Sequence, residues 1–196
     1  MHKVFTFFWL FISVVIGGTS TTTITTLPVF IYGKDDAVIE VVEFCSMYCS
    51  ACDHFKDTTF SKVEKHYIAS GQLRWTQIPF AIDFGDILML AYMKHLPIDQ
   101  YRQAEKWYKS FRANSSFTSE DELHKQLIIG LKSKFPILKD IQPVKHEEID
   151  VIVQETVRLA EQYKLKHYPT FLIDGQCVSV SEIKDLLDKK LKQLRK

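Results

Sequence analysis

The feature that most constrains this sequence is a buried-strand pattern that runs directly into a pair of cysteines. Val38 to Phe44 is almost continuously β-branched or aromatic, which is typical of a strand buried on both faces in the middle of a sheet. From Cys49 to Tyr67 the apolar positions recur every three or four residues, which is the spacing of a helix. The pattern therefore predicts a strand, a short turn and a helix, with Cys49 and Cys52 at the start of the helix.

A helix N-terminus is a favourable place for a thiolate. Unpaired backbone N–H groups and the helix dipole stabilise a negative sulfur, so we expect the pKa of Cys49 to lie below the usual value of about 8.5. Only Ser50 and Ala51 separate Cys49 from Cys52. We therefore predict that the two cysteines form a redox pair that undergoes thiol–disulfide exchange, with no additional cofactor, because the sulfurs themselves carry the electrons.

The composition indicates an ordered and nearly neutral protein. The 196 residues are 46% hydrophobic and 25% charged, which is sufficient for one domain with an inserted subdomain. The 25 basic and 24 acidic side chains give a net charge of +1. Because no basic surface is indicated, we expect no nucleic-acid partner.

The N-terminus has the layout of a signal peptide. Met1 to Lys3 precede an apolar run from Val4 to Ile16, and small and hydroxyl residues follow. The run is short for a membrane span of roughly 20 residues, so we predict a signal peptide over residues 1–20, cleaved near Ser20. A retained anchor and a buried N-terminal helix are the less favoured alternatives. Export would place the cysteines in an oxidising compartment.

The remaining patterns predict an α/β chain with a helical insertion. Further strands are predicted at Leu27–Ile31, Gln72–Ala81 and Tyr168–Gly175, followed by a return strand over Val178–Val180; Pro79 should end regular pairing of the second of these. Helices are predicted at Ile87–His95, Gln100–Phe111, Glu120–Leu131, His146–Tyr163 and from Ser179. Residues 27–82 and 164–196 then form one α/β domain, and residues 83–163 form an all-helical insertion.

The last insertion helix carries a single apolar stripe. Its members are Ile149, Ile152, Val153, Val157, Ala160 and Tyr163. Such a stripe is most simply a face packed against the core, and a ligand surface is the less favoured interpretation. We therefore expect the stripe to be buried.

Two carboxylates interrupt the central strand. Glu40 and Glu43 are three positions apart, so they point to opposite faces of the sheet. Glu40 is near the strand's start and can reach solvent, whereas Glu43 stands among apolar residues below the cysteines; we expect burial to raise the pKa of Glu43. Glu43 is interpreted as a proton acceptor for Cys52, the structural alternative being a carboxylate held by a lysine from elsewhere in the chain.

Taken in order, these motifs resemble the DsbA family of periplasmic thiol:disulfide oxidoreductases. The resemblance covers about residues 30–195 and rests on Gly33 to Ala37, Val42 to Phe44, Cys49 to Cys52, His54-Phe55, Tyr168 to Phe171 and Asp174-Gly175. It implies a thioredoxin fold with an all-helical insertion between the second core strand and the strand that Pro169 begins. It also implies that Cys49 is the exposed nucleophile, Cys52 the buried partner, Glu43 the acid beneath them and Pro169 a cis-proline facing the disulfide.

The sequence departs from the family at two places near this site. Ser50 and Ala51 stand where members often have proline and histidine; without the histidine, Cys49 should be less acidic and the disulfide less oxidising. Tyr168 is larger than the residue common before the proline, so it either narrows the substrate site or stacks on the substrate. We predict that Tyr168, Ser50 and Ala51 contact the substrate, which adds as a short extended segment beside Pro169.

The other two cysteines are predicted to be free thiols. With Cys49 paired to Cys52, the remaining intramolecular pair is Cys45 with Cys177. The strand directions place these two about 17 Å apart, beyond the reach of a disulfide. We expect Cys45 to be buried, with transient pairing to Cys49 as an alternative, and Cys177 to lie on an edge hairpin.

Two other functions share the cysteine spacing. Cys45, Cys49 and Cys52 form CxxxCxxC, the spacing with which radical SAM enzymes bind an iron–sulfur cluster. The export signal, the short chain and the helical placement of the last two cysteines argue against a cluster. A carrier that binds copper or zinc through the same sulfurs is the other alternative.

The resemblance implies a monomer that oxidises unfolded exported polypeptides in the periplasm and is re-oxidised by a quinone-linked membrane oxidase. Periplasmic isomerases of this fold carry an N-terminal dimerisation domain, whereas only about ten residues separate the predicted cleavage point from the first strand. We therefore expect oxidation as the main activity. Reduction or isomerisation by the same fold is the alternative.

Overall fold

The structure is a computed structural model that describes residues 14–16, 21–23, 25–173 and 175–194. Two short strands, β1 (Val14–Ile16) and β2 (Thr21–Thr23), pair antiparallel and form a sheet of their own. The rest of the predicted signal peptide, with its cleavage point near Ser20, lies outside the described residues and stays a prediction. Within the described ranges, no helix is both long enough and apolar enough to span a bilayer.

A mixed sheet lies at the centre of the described structure. Its strands are β3 (Phe30–Tyr32), β4 (Ile39–Ser46), β5 (Leu73–Phe80), β6 (Thr170–Ile173) and β7 (Gln176–Val178). The spatial order is β3, β5, β4, β6, β7, with β4 and β5 parallel and the other neighbours antiparallel. The apolar strand before the cysteines therefore occupies the middle of the sheet, as predicted.

The helices follow the predicted order. They are α1 (residues 50–68, with wide π turns at Lys56–Phe60 and Glu64–Ile68), α2 (Phe84–Met93), α3 (Tyr101–Asn114), α4 (Glu120–Lys134), α5 (His146–Tyr163) and α6 (Val180–Leu194). Helix α1 connects the parallel strands β4 and β5, which need such a crossover. Helices α2 to α5 all lie between β5 and β6, so the predicted helical insertion is confirmed.

The two faces of the sheet bury separate cores. Helices α1 and α6 cover one face, where the buried side chains include Ile39, Val41, Phe55, Val63, Trp75, Phe171, Ile183 and Leu187. The insertion covers the other face, with Val42, Phe44, Ile78, Leu88, Leu127, Leu131 and Ile152 among its buried side chains. Successive residues of β4 thus alternate between two cores, which explains why this strand is apolar at nearly every position.

The end of β5 differs from the prediction. Pro79 was expected to end regular pairing, but β5 stays paired with β4 as far as Phe80. Strand β3 pairs with β5 only up to Gln77, which lies two residues before Pro79. Pro79 has no backbone N–H, but because β3 no longer pairs with β5 at this position, no hydrogen bond to β3 is lost.

The C-terminal hairpin also forms earlier than predicted. The return strand is Gln176–Val178 and not Val178–Val180, because α6 already begins at Val180. Gly175 takes up the turn with φ +77°, while Asp174 lies outside the described residues. The Glu182 half of the predicted capping box is present, since its carboxylate accepts the backbone N–H of Ser179 at 3.0 Å.

The apolar stripe on α5 is only partly buried. Ile152 and Leu159 are fully buried, but Val153 is 37% and Val157 is 50% exposed. The expectation that the whole stripe packs in the core is therefore wrong. The line of α5 that faces the core runs through Ile152 and Leu159, which leaves the two valines on the solvent-facing flank.

Removal of Phe55 tests how α1 is held on the sheet. Its ring is fully buried, with its centroid 4.7 Å from that of Phe171 and 5.9 Å from that of Trp75. We expect Phe55→Ala to lower the free energy of unfolding by about 3–5 kcal/mol, measured by urea denaturation, because the lost ring leaves a cavity. Ile129→Ala, at a position 68% exposed, is the control and should change it by less than about 0.5 kcal/mol. Equal losses in both variants would contradict this account of α1.

Candidate active site

Cys49 caps the N-terminus of α1, and Cys52 lies in its first turn. The backbone of Cys49 is extended (φ −134°, ψ 111°), and its Sγ accepts a hydrogen bond from the backbone N–H of Cys52 at 3.2 Å. Cys49 is half-buried, whereas Cys52 is completely buried; both are free thiols. The structure therefore leaves the Cys49 sulfur accessible and places Cys52 behind it, in agreement with the prediction.

The two cysteines of the pair differ in the direction of their pKa shifts, which is downward for Cys52 and upward for Cys49. Burial raises the pKa of Cys49 to about 11, and its hydrogen bond with the Cys52 side chain adds to the rise. A hydrogen bond with the Cys45 side chain lowers the pKa of Cys52, with a further contribution from Cys49, although burial opposes both. The expectation of an acidic Cys49 is therefore wrong. Two neighbouring thiols stabilise a thiolate on the inner sulfur more than the end of the helix stabilises one on the outer sulfur.

Glu43 is buried beneath the cysteines, as predicted. It is 1% exposed, and the Trp75 indole N–H donates to its Oε2 at 2.9 Å, while its Oε1 has no hydrogen-bond partner within the described structure. Burial raises the pKa of Glu43, against the opposing effects of the Lys56 charge and of hydrogen bonds from Trp75 and Cys45. Glu40, in contrast, is only partly buried and pairs with Arg74 at 3.0 Å.

The lysine nearest to Glu43 makes its ion pair with a different carboxylate. Lys56 Nζ pairs with Glu105, which also pairs with Lys109 at 3.1 Å. Although burial opposes ionisation, these two lysines lower the pKa of Glu105, so it is the anion of the cluster. The alternative in which a lysine holds Glu43 in an ion pair is therefore not the arrangement observed.

A polar cavity connects Glu43 with the surface. Its volume is about 380 Å³, and its lining includes Glu43, Lys56, Glu105 and Lys109. The exposed side chain of Asp57 also borders it. Water can therefore reach the buried carboxyl group through this opening between α1 and the insertion helix α3.

Pro169 and Tyr168 stand at the start of β6, beside the cysteines. The Tyr168–Pro169 peptide bond is cis, as the resemblance implied. The Tyr168 ring lies 5.0 Å from the ring of Phe80, and burial together with the charge of Cys52 raises the pKa of Tyr168 to about 12. Pairing of β6 with β4 begins only at Thr170, so the backbone of Tyr168 lies outside the ladder.

The surface around Cys49 is small and partly apolar. Ser50 and Ala51 are both exposed, so the first turn of α1 leaves space beside the Cys49 sulfur. Directly after β5 there is a groove of about 240 Å³, whose apolar lining includes Ala81, Ile82, Phe84, Ile87, Val153 and Val157. Strands β4 and β5 are parallel and stay paired to their C-terminal ends. The groove that follows β5 therefore begins at the same end of the sheet as the loop that leads from β4 to the cysteines.

A hydrogen-bond network that the sequence analysis missed holds the loop between β4 and Cys49. The buried carboxylate of Asp86 accepts from the Ser46 hydroxyl at 2.8 Å and from the backbone N–H of Ile82 at 3.3 Å. The Ser46 oxygen in turn accepts the backbone N–H of Tyr48 at 3.1 Å. Burial raises the pKa of Asp86 to about 6.

Asp83 and Arg112 extend this network to the loop surface. Asp83 caps α2 by accepting the backbone N–H of Asp86 at 2.9 Å, and Arg112 donates to both Asp83 oxygens at 2.8 and 3.1 Å. The Arg112 guanidinium also lies 4.7 Å from the ring centre of Tyr48. Asp83, directly before α2, is a helix-capping residue that could have been recognised from the sequence. The Ser46–Asp86 contact joins residues 40 positions apart and leaves no sequence pattern.

The remaining cysteines lie as predicted. Cys45 is fully buried on β4, and Cys177 is exposed on β7. Cys177 is paired with Leu172, and Leu172 is paired with Val42, which lies three residues before Cys45 on β4. Two strand spacings across the sheet and three residues along β4 therefore put Cys177 roughly 14 Å from Cys45. Within the part of the chain that the structure describes, no three His, Cys, Asp or Glu side chains are arranged to hold a metal ion.

The raised pKa of Glu43 predicts a pH-dependent stability. A carboxyl group whose pKa is higher in the folded protein binds more protons there than in the unfolded chain, so stability falls as pH rises above the unfolded value of about 4.3. We expect Glu43→Gln to stabilise the reduced protein at neutral pH and to lose this advantage in acid. Urea denaturation over a pH series measures the difference in free energy of unfolding between the variant and the parent protein. Glu147→Gln, at an exposed position, is the control. A Glu43→Gln effect that is independent of pH would contradict the assignment.

Comparison with known proteins agrees with this architecture. The model of the thioredoxin family matches residues 25–192. A probable disulfide bond formation protein D of Bacillus anthracis is 26% identical over 172 residues, which cover 82% of this chain and 77% of that protein.

Solved structures of low sequence identity share the fold. Wolbachia pipientis alpha-DsbA1 has 18% identity and a TM-score of 0.60, covering 84% of this chain and 92% of its own. A protein-disulfide isomerase from Novosphingobium aromaticivorans has 16% identity and a TM-score of 0.61, covering 78% and 90%. Since the family model spans most of the described residues, the chain belongs to the thioredoxin family, and its fold, a thioredoxin sheet with a helical insertion, is DsbA-like.

Proposed function

We propose that this thiol:disulfide oxidoreductase acts in the oxidising direction and introduces disulfides into unfolded exported polypeptides. The observation that carries the proposal is the asymmetry of its cysteine pair. The accessible sulfur belongs to Cys49, whereas the stabilised thiolate belongs to the buried Cys52. This is the arrangement that an oxidant needs, because the substrate attacks one sulfur and expels the other.

The reaction starts from the disulfide between Cys49 and Cys52. A substrate thiolate attacks the Cys49 sulfur, the S–S bond breaks, and Cys52 leaves as a thiolate with the electron pair. A second substrate thiolate then attacks the substrate sulfur of the mixed disulfide and expels Cys49. The substrate now holds the disulfide, and its two electrons remain in the reduced cysteine pair.

The lowering of the Cys52 pKa supports this direction in two ways. A thiolate of lower pKa is a faster leaving group, so attack at Cys49 is accelerated. Hydrogen bonds from Cys45 and Cys49 stabilise the reduced pair, and a more stable reduced form makes the disulfide a stronger oxidant. These contacts act against the loss of oxidising strength expected from the absence of a histidine between the cysteines.

The surroundings of Pro169 favour broad recognition of extended chains. The backbone of Tyr168 lies outside the β6 ladder, so a substrate segment can add there through main-chain hydrogen bonds, with its cysteine at Cys49. The groove lined by Ile82, Val153 and Val157 provides an apolar surface for the flanking residues of an unfolded polypeptide. Main-chain contacts carry little sequence information, so we expect many substrates.

Each reaction leaves the cysteine pair reduced, so a second protein must restore it. We propose a quinone-linked membrane oxidase for this step and the periplasm as its location. The signal-peptide pattern over residues 1–20 supports export. Oxidation requires only one dithiol site, which a single chain contains, and we propose that the protein acts as a monomer.

The mechanism predicts which cysteine change traps substrates. In a Cys177→Ser background, Cys52→Ser should accumulate mixed disulfides through Cys49 with several unrelated exported proteins, because the partner thiol that would release them is gone. Cys49→Ser should abolish both trapping and oxidation of a reduced test protein. Non-reducing electrophoresis with mass spectrometry measures the adducts. Capture of one dedicated partner would contradict broad recognition, and an unchanged oxidation rate in Cys49→Ser would contradict the mechanism.

The direction of exchange is the second prediction. We expect a monomer in sedimentation that oxidises reduced ribonuclease faster than it repairs a scrambled sample of the same protein. Isomerisation is the second candidate, because a protein-disulfide isomerase shares the fold with a TM-score of 0.61. A stable dimer with efficient repair of the scrambled substrate would favour that candidate.

A further inference from the structure

Cys45 lies between Glu43 and Cys52. It is two positions after Glu43 on β4, so the two side chains share one face of the sheet. The Cys45 side chain is fully buried and lies within reach of the Cys52 sulfur and of the Glu43 carboxyl group, close enough to affect the pKa of each. Its Sγ also lies 3.4 Å from the backbone carbonyl oxygen of Ser46. The third thiol thus touches both the reacting sulfur and the buried acid.

The thiol of Cys45 is suited to pass a proton. A thiol carries one S–H donor and can accept a hydrogen bond on its sulfur. Burial raises the pKa of Cys45 well above its usual value, and the neighbouring Cys52 and Glu43 add to this rise. The group therefore stays protonated, and its single S–H can turn toward either Cys52 or Glu43.

We propose that Cys45 relays protons between Glu43 and Cys52, an inference that rests on the exchange function proposed above. When the substrate breaks the Cys49–Cys52 bond, Cys52 leaves as a thiolate. Cys45 then gives its proton to the Cys52 sulfur while the protonated Glu43 carboxyl group gives its proton to Cys45. Cys52 and Cys45 end as thiols and Glu43 as a carboxylate, and no electrons move in this step.

Re-oxidation of the pair uses the same path in reverse. Cys52 must lose its proton before its sulfur can attack a mixed disulfide at Cys49. The proton of Cys52 moves to Cys45 while the proton of Cys45 moves to the Glu43 carboxylate. The relay therefore serves both halves of the cycle and leaves Cys45 unchanged.

The cavity beside Glu43 completes the path to solvent. The unpartnered Oε1 of Glu43 belongs to a residue that lines this cavity of about 380 Å³, so water there can exchange the proton. The charged groups acting on the relay are Lys56 and Glu105, and beside them Lys109 pairs with Asp53; the titratable groups beside Cys52 are Cys49 and Tyr168. The fixed charges of Lys56 and Glu105 largely balance, because the two form an ion pair.

Three substitutions separate a relay from a residue that only fills the core. Cys45→Ser keeps a hydroxyl group that can donate and accept, whereas Cys45→Ala and Cys45→Val have no such group. The valine occupies at least the volume of the cysteine, so it controls for a cavity. Val41→Ala removes buried atoms from the same face of the same strand without touching the relay, and serves as the matched control.

The first readout is the ionisation of Cys52 in the reduced protein. It is measured by carbon-13 NMR of labelled cysteines during a pH titration, in a Cys177→Ser background. Loss of a hydrogen bond to a charged sulfur should raise the Cys52 titration midpoint by about one pH unit in Cys45→Ala and Cys45→Val. Cys45→Ser should return the midpoint toward that of the parent protein. Val41→Ala should leave it unchanged.

The second readout is the rate at which dithiothreitol reduces the Cys49–Cys52 disulfide across a pH series. We expect Cys45→Ala and Cys45→Val to be slower by roughly tenfold or more and to have an altered pH profile, since a positioned proton donor contributes at least this much. Cys45→Ser should retain most of the rate and the parental profile.

The relay and the proposed function can be disproved independently of each other. If Cys45→Ala and Cys45→Val match the parent in midpoint and rate, or if Cys45→Ser is as impaired as they are, the relay is wrong even in an active enzyme. If the parent protein exchanges no disulfides with any protein substrate, the proposed function is wrong, while the NMR titration still decides whether Cys45 controls the proton on Cys52.

Discussion

The burial of β4 on both faces is the constraint on which the rest of this structure depends. The strand lies between β5 and β6, and its side chains alternate between the α1–α6 core and the insertion core. A strand in this position delivers its C-terminal end to the point where the chain turns into α1. The cysteine pair is therefore fixed by two packed cores, and the loop that carries it is held further by the Ser46–Asp86 hydrogen bond.

The same burial determines the electrostatics of the site. Glu43, Cys45 and Cys52 are almost completely buried, so each resists ionisation unless a neighbour supplies hydrogen bonds. Cys52 has thiols on both sides that act in this way, so its pKa is lowered although it is buried. The N-terminus of α1 contributes less than the sequence suggested, because Cys49 itself is partly withdrawn from solvent.

The insertion contributes to the site as well as covering the sheet. Helix α2 carries Asp86 and is capped by Asp83, and α3 carries Glu105, Lys109 and Arg112. These residues reach the cysteine loop on one side and the Glu43 cavity on the other. Exposed valines of α5 line the groove that begins beside the same loop. An all-helical segment between two strands therefore supplies polar support for the catalytic loop and an apolar surface next to it.

Much of the fold and the position of the cysteine pair at the start of α1 could be predicted from sequence, because periodicity and the CxxC spacing are local properties. The alternation of β4, the helix beginning at Cys49 and the long helix His146–Tyr163 depend on residues close together in the chain. The burial of Glu43 followed from its apolar neighbours in the same strand. What only the tertiary structure decided was which sulfur holds the charge, which carboxylate pairs with Lys56, and which edge of α5 stays exposed. Each of these depends on groups brought together from distant parts of the chain, and hydrogen bonds and desolvation act over a few ångströms of space, whatever the separation in sequence.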